Sequence, residues 1–228
     1  MIDSLIRYLR ALSPRAEFTA VMLAAFGYFS VTSVLEAFSL HPMPGMTDAH
    51  LRSLVAYELP VLVAILWFLA LRGWTTTRLG LKFRLTDIAI GIGLATVDYV
   101  IYGVLLTLLA IALPFVQHAI DGSEVIAGDL RVRSVIMVST VNPLFEEMLV
   151  CAYVICAVNE RRSMSVAINV SVGVRLVYHL YQGVIAVASA IPMGLLCAYW
   201  FAQTGRLWPL IVMHAALDLL ALLPYVKL

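Results

Sequence analysis

The chain has few charged residues for its length. Only 13% of its 228 residues are charged, whereas 62% are hydrophobic. Soluble domains average about 25% charged and about 45–50% apolar residues, so the composition excludes an ordinary soluble domain and predicts an integral membrane protein. No Lys/Arg-rich stretch with interleaved aromatic residues is present, and a nucleic-acid partner is therefore not expected.

Several chemical signatures are also missing. The three cysteines, Cys151, Cys156 and Cys197, all lie in apolar segments, which indicates small packed side chains rather than a disulfide framework. The chain contains no His-Glu-x-x-His signature of zinc peptidases, and no Ser-His-Asp arrangement is apparent. It also lacks the internal repeats that are usual in secondary transporters, which argues against proton-coupled transport.

Long apolar runs are what the chain does have. A membrane-spanning helix needs about 20 mostly apolar residues, and a scan on that length predicts an all-α, polytopic membrane protein with about seven transmembrane helices in a single membrane domain, 1–228. The candidate spans are residues 18–40, 54–71, 87–113, 134–158, 164–182, 184–203 and 207–225.

The connections between these spans differ in basic charge. Ten Lys and Arg residues fall on one side and four on the other, which predicts a cytoplasmic N-terminus. The first side has Arg7, Arg10, Arg15, Arg72, Arg78, Lys82, Arg84, Arg161, Arg162 and Arg206, and the second has Arg52, Arg131, Arg133 and Lys227. The fifteenth basic residue, Arg175, falls inside a predicted helix.

Two adjacent carboxylates, Glu146 and Glu147, lie inside the fourth apolar run. An acid within a membrane span is by default a hypothesis of function. Later spans supply partners, because Arg175 and His179 share the fifth span, and His214 and Asp218 share the last. Two acids, an Arg and two His on three helices therefore favour a functional site over isolated structural contacts.

The loop around 159–163 predicts an antiparallel hairpin of the fourth and fifth spans. Residues equally distant from the loop should lie at equal depth, which brings Glu146 level with His179, as a carboxylate and an imidazole that share a water require. The same count places Arg175 level with Val150 and Cys151. Adjacent helical residues point about 100° apart, so we assign Glu146 to chemistry and Glu147 to an ion pair with Arg175.

The last span presents a second pair. His214 and Asp218 are four residues apart on one helical face, where they can stabilise a developing oxyanion if the relevant group carries a proton. Asp218 would do so only when neutral, or would instead orient His214. Asn142, one turn before Glu146, is expected to touch substrate or water, and Tyr178 is the aromatic residue expected to neighbour the site.

Four further acids are weaker candidates. Glu36, Glu58 and Asp87 fall near the ends of predicted spans, and Asp98 has no identifiable partner.

At these residues the chain resembles the CAAX protease and bacteriocin-processing family, CPBP or Abi, of intramembrane endopeptidases. The family has three motifs. The first is Glu-Glu-x-x-x-Arg, the second is an aromatic residue four positions before a His, and the third is His-x-x-x-Asn/Asp. Glu146 with Glu147 matches the first motif, His179 the second, and His214 with Asp218 the third. The resemblance implies that residues 134–225 form the catalytic helices, that His179 assists a glutamate-activated water, and that His214 and Asp218 stabilise the oxyanion.

Two positions depart from the family pattern. Cys151 stands where the first motif has Arg, and Arg175 stands where the second has its aromatic residue. Because the hairpin count places these positions at one level, we expect the guanidinium to have moved between helices while it still pairs with Glu147. Such a pair requires a separation within about 6 Å.

The preferred function is hydrolysis of a peptide bond in a membrane-associated protein or peptide, without a cofactor and in the inner membrane of a bacterial or archaeal cell. One alternative is a zinc-dependent protease, since Glu146, His179, His214 and Asp218 are all possible ligands. Another is a membrane peptide-binding or immunity factor without proteolysis. The sequence does not identify a substrate.

Overall fold

The computed structural model describes residues 2–38, 45–113 and 126–227. In these ranges the chain forms eight helices and two isolated β-bridges, so the all-α prediction is confirmed. The helices are α1 (Ile2–Ala11), α2 (Pro14–Ala37), α3 (Asp48–Leu71), α4 (Thr86–Ala112), α5 (Val132–Asn159), α6 (Met164–His179), α7 (Gly183–Thr204) and α8 (Trp208–Leu222).

Each of the seven predicted spans corresponds to one helix from α2 to α8. Within the described residues, five helical stretches are long and apolar enough to cross a membrane, namely α2, α3, α4, α5 and α8 with its 3₁₀ extension to Tyr225. The protein is therefore polytopic. Helix α6 has 16 residues, which is shorter than the ~20 residues of a perpendicular span.

Two helices begin earlier than the apolar runs predict, because polar caps start them. Ser13 caps α2 through its side chain, which accepts a hydrogen bond from the Ala16 N–H, and Pro14 occupies the first turn. Thr47 caps α3 by accepting from the His50 N–H at 3.2 Å. Helix α1 was not predicted.

Helix α5 lies at the centre of the bundle. It is the most buried of the five candidate spans, and it contacts α2, α3, α6, α7 and α8. Its stretch Glu147–Tyr153 is π-helical, and all seven side chains of that stretch are buried. Helix α4 packs mainly against α8. The central position of α5 places its two acids inside the protein.

The connections α3–α4, α5–α6 and α7–α8 meet at one end of the bundle, which we call the loop end. Arg78 pairs with Glu160 there, and the Leu207 N–H donates to the Gly80 carbonyl at 3.1 Å. A Cβ on Gly80, whose φ is +70°, would lie 2.4 Å from the Gly205 carbonyl oxygen. Only glycine fits this crossing of two loops.

A buried polar cluster, the loop-end clamp, joins α2, α3 and α5. Glu17 accepts hydrogen bonds from Arg72 Nε at 2.6 Å, from Trp74 Nε1 at 2.9 Å and from the Tyr153 hydroxyl at 3.4 Å. Arg72 also donates to the carbonyls of Leu9, Arg10 and Leu12, at and just beyond the end of α1. The guanidinium thus caps α1 and neutralises Glu17.

Candidate active site

Helix α5 carries the two adjacent acids at the point where its geometry changes. Glu146 ends the α-helical part and Glu147 begins the π-helical stretch. The exposed fractions of the two residues are 7% and 0%. Single π-helical turns inside α-helices are frequent at functional sites, and buried carboxylates need hydrogen-bonding or charged partners.

Arg175 on α6 supplies that charge to both acids. Its Nη2 lies 2.6 Å from Glu147 Oε1, and its Nη1 lies 3.4 Å from Glu146 Oε2. The expected pair between Arg175 and Glu147 is therefore present, with the guanidinium 2% exposed. The strict division of the acids was too simple, because one guanidinium contacts both.

The depth of Arg175 differs from the simple hairpin count. Ser171 donates to the Val150 carbonyl at 2.7 Å, so Ser171, one turn before Arg175, lies opposite Val150. The expectation that Arg175 lies level with Val150 and Cys151 is wrong by about one helical turn. A π-helical turn contains more residues than an α-helical turn, so the stretch from the loop back to Glu147 is shorter than its residue count implies.

Glu146 is oriented by donors from two helices. Its Oε2 accepts from the Tyr178 hydroxyl at 2.7 Å and faces Arg175 Nη1, and its Oε1 accepts from Asn142 Nδ2 at 3.2 Å. An ionised carboxylate offers about four lone-pair positions. Three donors leave one position, so the carboxylate is held in place and retains room for one more donor such as water.

Glu147 connects Arg175 with His214. The same Oε1 that faces Arg175 lies 2.8 Å from His214 Nδ1, a contact that the sequence did not predict. The other carboxylate oxygen, Glu147 Oε2, is buried and has no hydrogen-bond partner among the described residues. The other His214 nitrogen, Nε2, lies 3.6 Å from Asp218 Oδ1. Glu147 thus fixes the ring of His214 from one side and leaves Nε2 on the side of Asp218.

His179 is the last residue of α6. Its Nδ1 lies 2.9 Å from the Arg175 carbonyl, and because a carbonyl only accepts, Nδ1 carries the hydrogen and Nε2 of a neutral ring is an acceptor. No hydrogen bond joins His179 to Glu146, both of which lie in the described ranges. The adjacent Tyr178 does contact Glu146, and its ring centroid lies 4.5 Å from that of His179.

Apolar residues enclose the cluster. Phe26 on α2 stacks on Tyr178 with ring centroids 4.8 Å apart. On α7, Met193 Sδ lies 3.9 Å from Arg175 Nη1, and a Cβ on Gly194 would lie 3.4 Å from Arg175 Cδ. Close packing on both sides fixes the arginine and the tyrosine, and therefore the carboxylates that they contact.

Glu58 on α3 is a site neighbour that the sequence undervalued. It accepts from Asn142 Nδ2 at 2.8 Å. The expectation that it lies near a helix end is wrong, because α3 begins at Asp48 and Glu58 is nearly three turns inside. The Thr47 cap is the signal that locates this start. Asp98 is also buried, and its Oδ1 has no partner among the described residues.

The site contains one group with the spacing of metal ligands. One ligand atom from each of Glu146, Glu147 and His214 can be chosen so that all lie within 4.8 Å of one another. This set differs from the predicted zinc ligands, since it includes Glu147 and omits His179 and Asp218. Arg175 contacts both carboxylates, and Glu147 is bonded to His214. As placed, the positive charge that both carboxylates contact is the Arg175 guanidinium.

These features define a polytopic membrane protein with an enclosed acid, arginine and histidine site. The site cluster consists of Asn142, Glu146, Glu147, Arg175, Tyr178 and His214.

Residues 129–220 match the family model described as Type II CAAX prenyl endopeptidase Rce1-like. This match confirms the resemblance of the segment to the CAAX protease and bacteriocin-processing family of intramembrane proteases, which its motifs predict. The segment includes the whole site cluster, whereas Glu58 lies outside it. No curated protein and no solved structure matches the chain significantly.

Proposed function

We propose that the protein is an intramembrane endopeptidase that hydrolyses a peptide bond with a water molecule activated by Glu146. The observation that carries this proposal is the environment of Glu146, a buried carboxylate held by three donors with one lone-pair position left for water. Orientation of a general base contributes to catalysis only if its remaining lone pair faces the proton to be removed.

The reaction follows from that arrangement. Glu146 takes one proton from water as the water oxygen bonds to the scissile carbonyl carbon, and the carbonyl π electrons move to its oxygen. When that oxyanion collapses, the carbon–nitrogen bond breaks and the proton passes from Glu146 to the leaving nitrogen. His179 assists because its Nε2 accepts a hydrogen bond from the second O–H of the water. Its Nδ1 cannot do so, since it donates to the Arg175 carbonyl.

His214 and Asp218 stabilise the oxyanion in this proposal. Glu147 holds His214 Nδ1 at 2.8 Å, so the ring cannot turn away and Nε2 is directed to one place. A proton on Nε2, or on Asp218, supplies the required donor. Donors that are already oriented lose little energy to reorganisation as the charge develops.

The proposed substrate is a membrane-associated protein or peptide, and the description of the matching family directs attention to prenylated C-terminal peptides. We further propose that the loop end is cytoplasmic. The α3–α4, α5–α6 and α7–α8 connections, which carry the basic residues of the richer side, meet there.

The test compares membrane peptides from cells that contain the wild-type protein with those from cells that contain Glu146→Gln. We expect an uncleaved precursor to accumulate in the variant, which identifies both the activity and the substrate. Equal peptide profiles at equal, verified protein levels would contradict the proposal. A peptide-binding factor without proteolysis predicts that the variant retains its cellular phenotype and that no precursor accumulates.

The zinc-dependent alternative is supported by the spacing of Glu146, Glu147 and His214. It predicts that exhaustive chelation abolishes cleavage and that added Zn²⁺ restores it. The glutamate mechanism predicts that the cleavage rate is the same before and after chelation, provided that the metal content of the chelated protein has been measured and is negligible.

A further inference from the structure

Glu58 occupies a position that packing alone does not explain. It is 2% exposed, and its neighbours on the buried face of α3 are the apolar residues Leu51, Val55, Leu62 and Ile65. A carboxyl group placed among such side chains costs free energy unless it is hydrogen-bonded. A leucine would fill the same stripe without that cost.

The side-chain hydrogen bond that Glu58 makes among the described residues leads directly to the active site. Asn142 Nδ2 donates to Glu58 Oε1 at 2.8 Å and to Glu146 Oε1 at 3.2 Å. An amide nitrogen has two hydrogens, so both are used, one for each acid. Glu58 Oε2 has no partner among the described residues, and the bond to Asn142 is therefore the polar contact that links α3 to the site.

Glu58 also decides which way the amide faces. If Asn142 turned over, its carbonyl oxygen would face Glu58 Oε1 and Glu146 Oε1, and both of these hydrogen bonds would be lost. With only Glu146 nearby, the amide would have one bond in favour of the productive orientation. Glu58 adds a second bond in favour of that orientation, through the other N–H of the same nitrogen.

We propose that Glu58 is a positioning residue of the active site, which orients the Asn142 amide so that one N–H holds the Glu146 carboxylate. The inference rests on the proposed role of Glu146. If Glu58 has this role, α3 takes part in the reaction, although α3 lies outside the segment that matches the family model. The contact requires an acceptor oxygen at Oε1 and no negative charge.

The experiment measures kcat and KM of the purified protein in detergent, on the peptide that accumulates with Glu146→Gln. Glu58→Gln keeps an acceptor oxygen, so we expect a rate within about twofold of wild type. Glu58→Leu and Asn142→Leu should each lower kcat, by about 100-fold if the carboxylate moves by about 1 Å. KM should stay unchanged, because in the structure the Asn142 amide nitrogen is bonded to the two acids, and not to substrate as the sequence suggested.

A double variant distinguishes positioning from independent effects. If Glu58 acts only through Asn142, Glu58→Leu combined with Asn142→Leu should be no slower than either single variant. Losses that multiply would overturn the proposal, and so would a large loss with Glu58→Gln. If Glu58→Leu fails to fold, Glu58→Met, which is unbranched like glutamate and also lacks an acceptor oxygen, takes its place and should show the same loss of kcat. A wild-type kcat for Glu58→Met would overturn the proposal.

Tyr57→Phe is the matched control, because it removes a neighbouring polar contact of α3, the 2.7 Å bond from the Tyr57 hydroxyl to the Ala24 carbonyl. It should leave kcat unchanged. If Glu146→Gln has no effect on cleavage, the proposed function itself fails. If Glu146→Gln abolishes cleavage while Glu58→Leu matches wild type, only the role of Glu58 is wrong.

Discussion

Two buried ion-pair clusters in the described part of the chain differ in how completely their charges are matched. In the loop-end clamp, one carboxylate, Glu17, meets one guanidinium, Arg72, with Trp74 and Tyr153 as further donors. In the site cluster one guanidinium, Arg175, meets two carboxylates. The first cluster is balanced, whereas the second has an excess of acceptors.

The unmatched oxygen atoms follow the same division. Glu147 Oε2 in the site cluster and Glu58 Oε2 beside it are buried without a hydrogen-bond partner in the described part of the chain. The two oxygens of Glu17 both accept hydrogen bonds. A cluster whose groups are all satisfied holds helices together, whereas one that retains free acceptors can bind water or substrate. The comparison therefore supports the proposal that the chemistry takes place in the site cluster and not in the clamp.

Arg175→Met should have the largest effect in the molecule. It leaves Glu146 and Glu147 buried without a counter-charge, and removal of one partner from a buried pair costs about 3–5 kcal/mol. We expect that loss in the free energy of unfolding, measured by denaturation in detergent, together with complete loss of cleavage. A variant with wild-type stability would show that the two carboxylates do not depend on the guanidinium.

His214→Gln should lower activity less than Arg175→Met. The imidazole contacts Glu147 and lies beside Asp218, and loss of one oxyanion donor lowers kcat by about 100-fold to 1,000-fold. Measured kcat should fall in this range, with unfolding changed much less than by Arg175→Met. Unchanged kcat would remove His214 from the proposed chemistry.

Tyr178→Phe should have a smaller effect. It removes one of three donors to Glu146 but keeps the ring that stacks on Phe26. A hydrogen bond to a charged group contributes about 1.5–3 kcal/mol, so a loss of about 10-fold to 100-fold in kcat is expected. The melting temperature should stay close to that of wild type, and a large drop would instead indicate a packing role.

The smallest effect should come from replacement of the balanced pair as a whole. Glu17→Leu combined with Arg72→Met removes both charges, and apolar replacement of a buried ion pair is often nearly neutral for stability. Cleavage per folded molecule should match wild type. A loss of activity as large as that of Arg175→Met would abolish the distinction between the two clusters.

The sequence predicted the helices from apolar length and the pair between Glu147 and Arg175 from hairpin spacing. It also selected Tyr178 as a site neighbour. These predictions work because spans and short loops limit which residues can meet. The roles of Glu146, His179, His214 and Asp218 stay predictions.

Other contacts depend on geometry that residue counts do not contain. The π-helical stretch changes the depth of α5 against α6, so the level of Arg175 was wrong. Glu58 was undervalued and Glu17 was not considered, because the apolar runs begin later than the capped helices that carry these acids. The bond between Glu147 and His214 joins α5 to α8, which are distant in sequence, and nothing local indicates their relative rotation.

The most direct measurement compares Glu146→Gln with Glu17→Gln, two neutralised buried acids from the two clusters, as purified proteins acting on the accumulated precursor. Loss of a general base lowers kcat by about 100-fold to 10,000-fold. We predict this loss for Glu146→Gln at unchanged melting temperature, and a wild-type kcat for the folded fraction of Glu17→Gln. Cleavage by Glu146→Gln at the wild-type rate would contradict the assignment of Glu146 as the base.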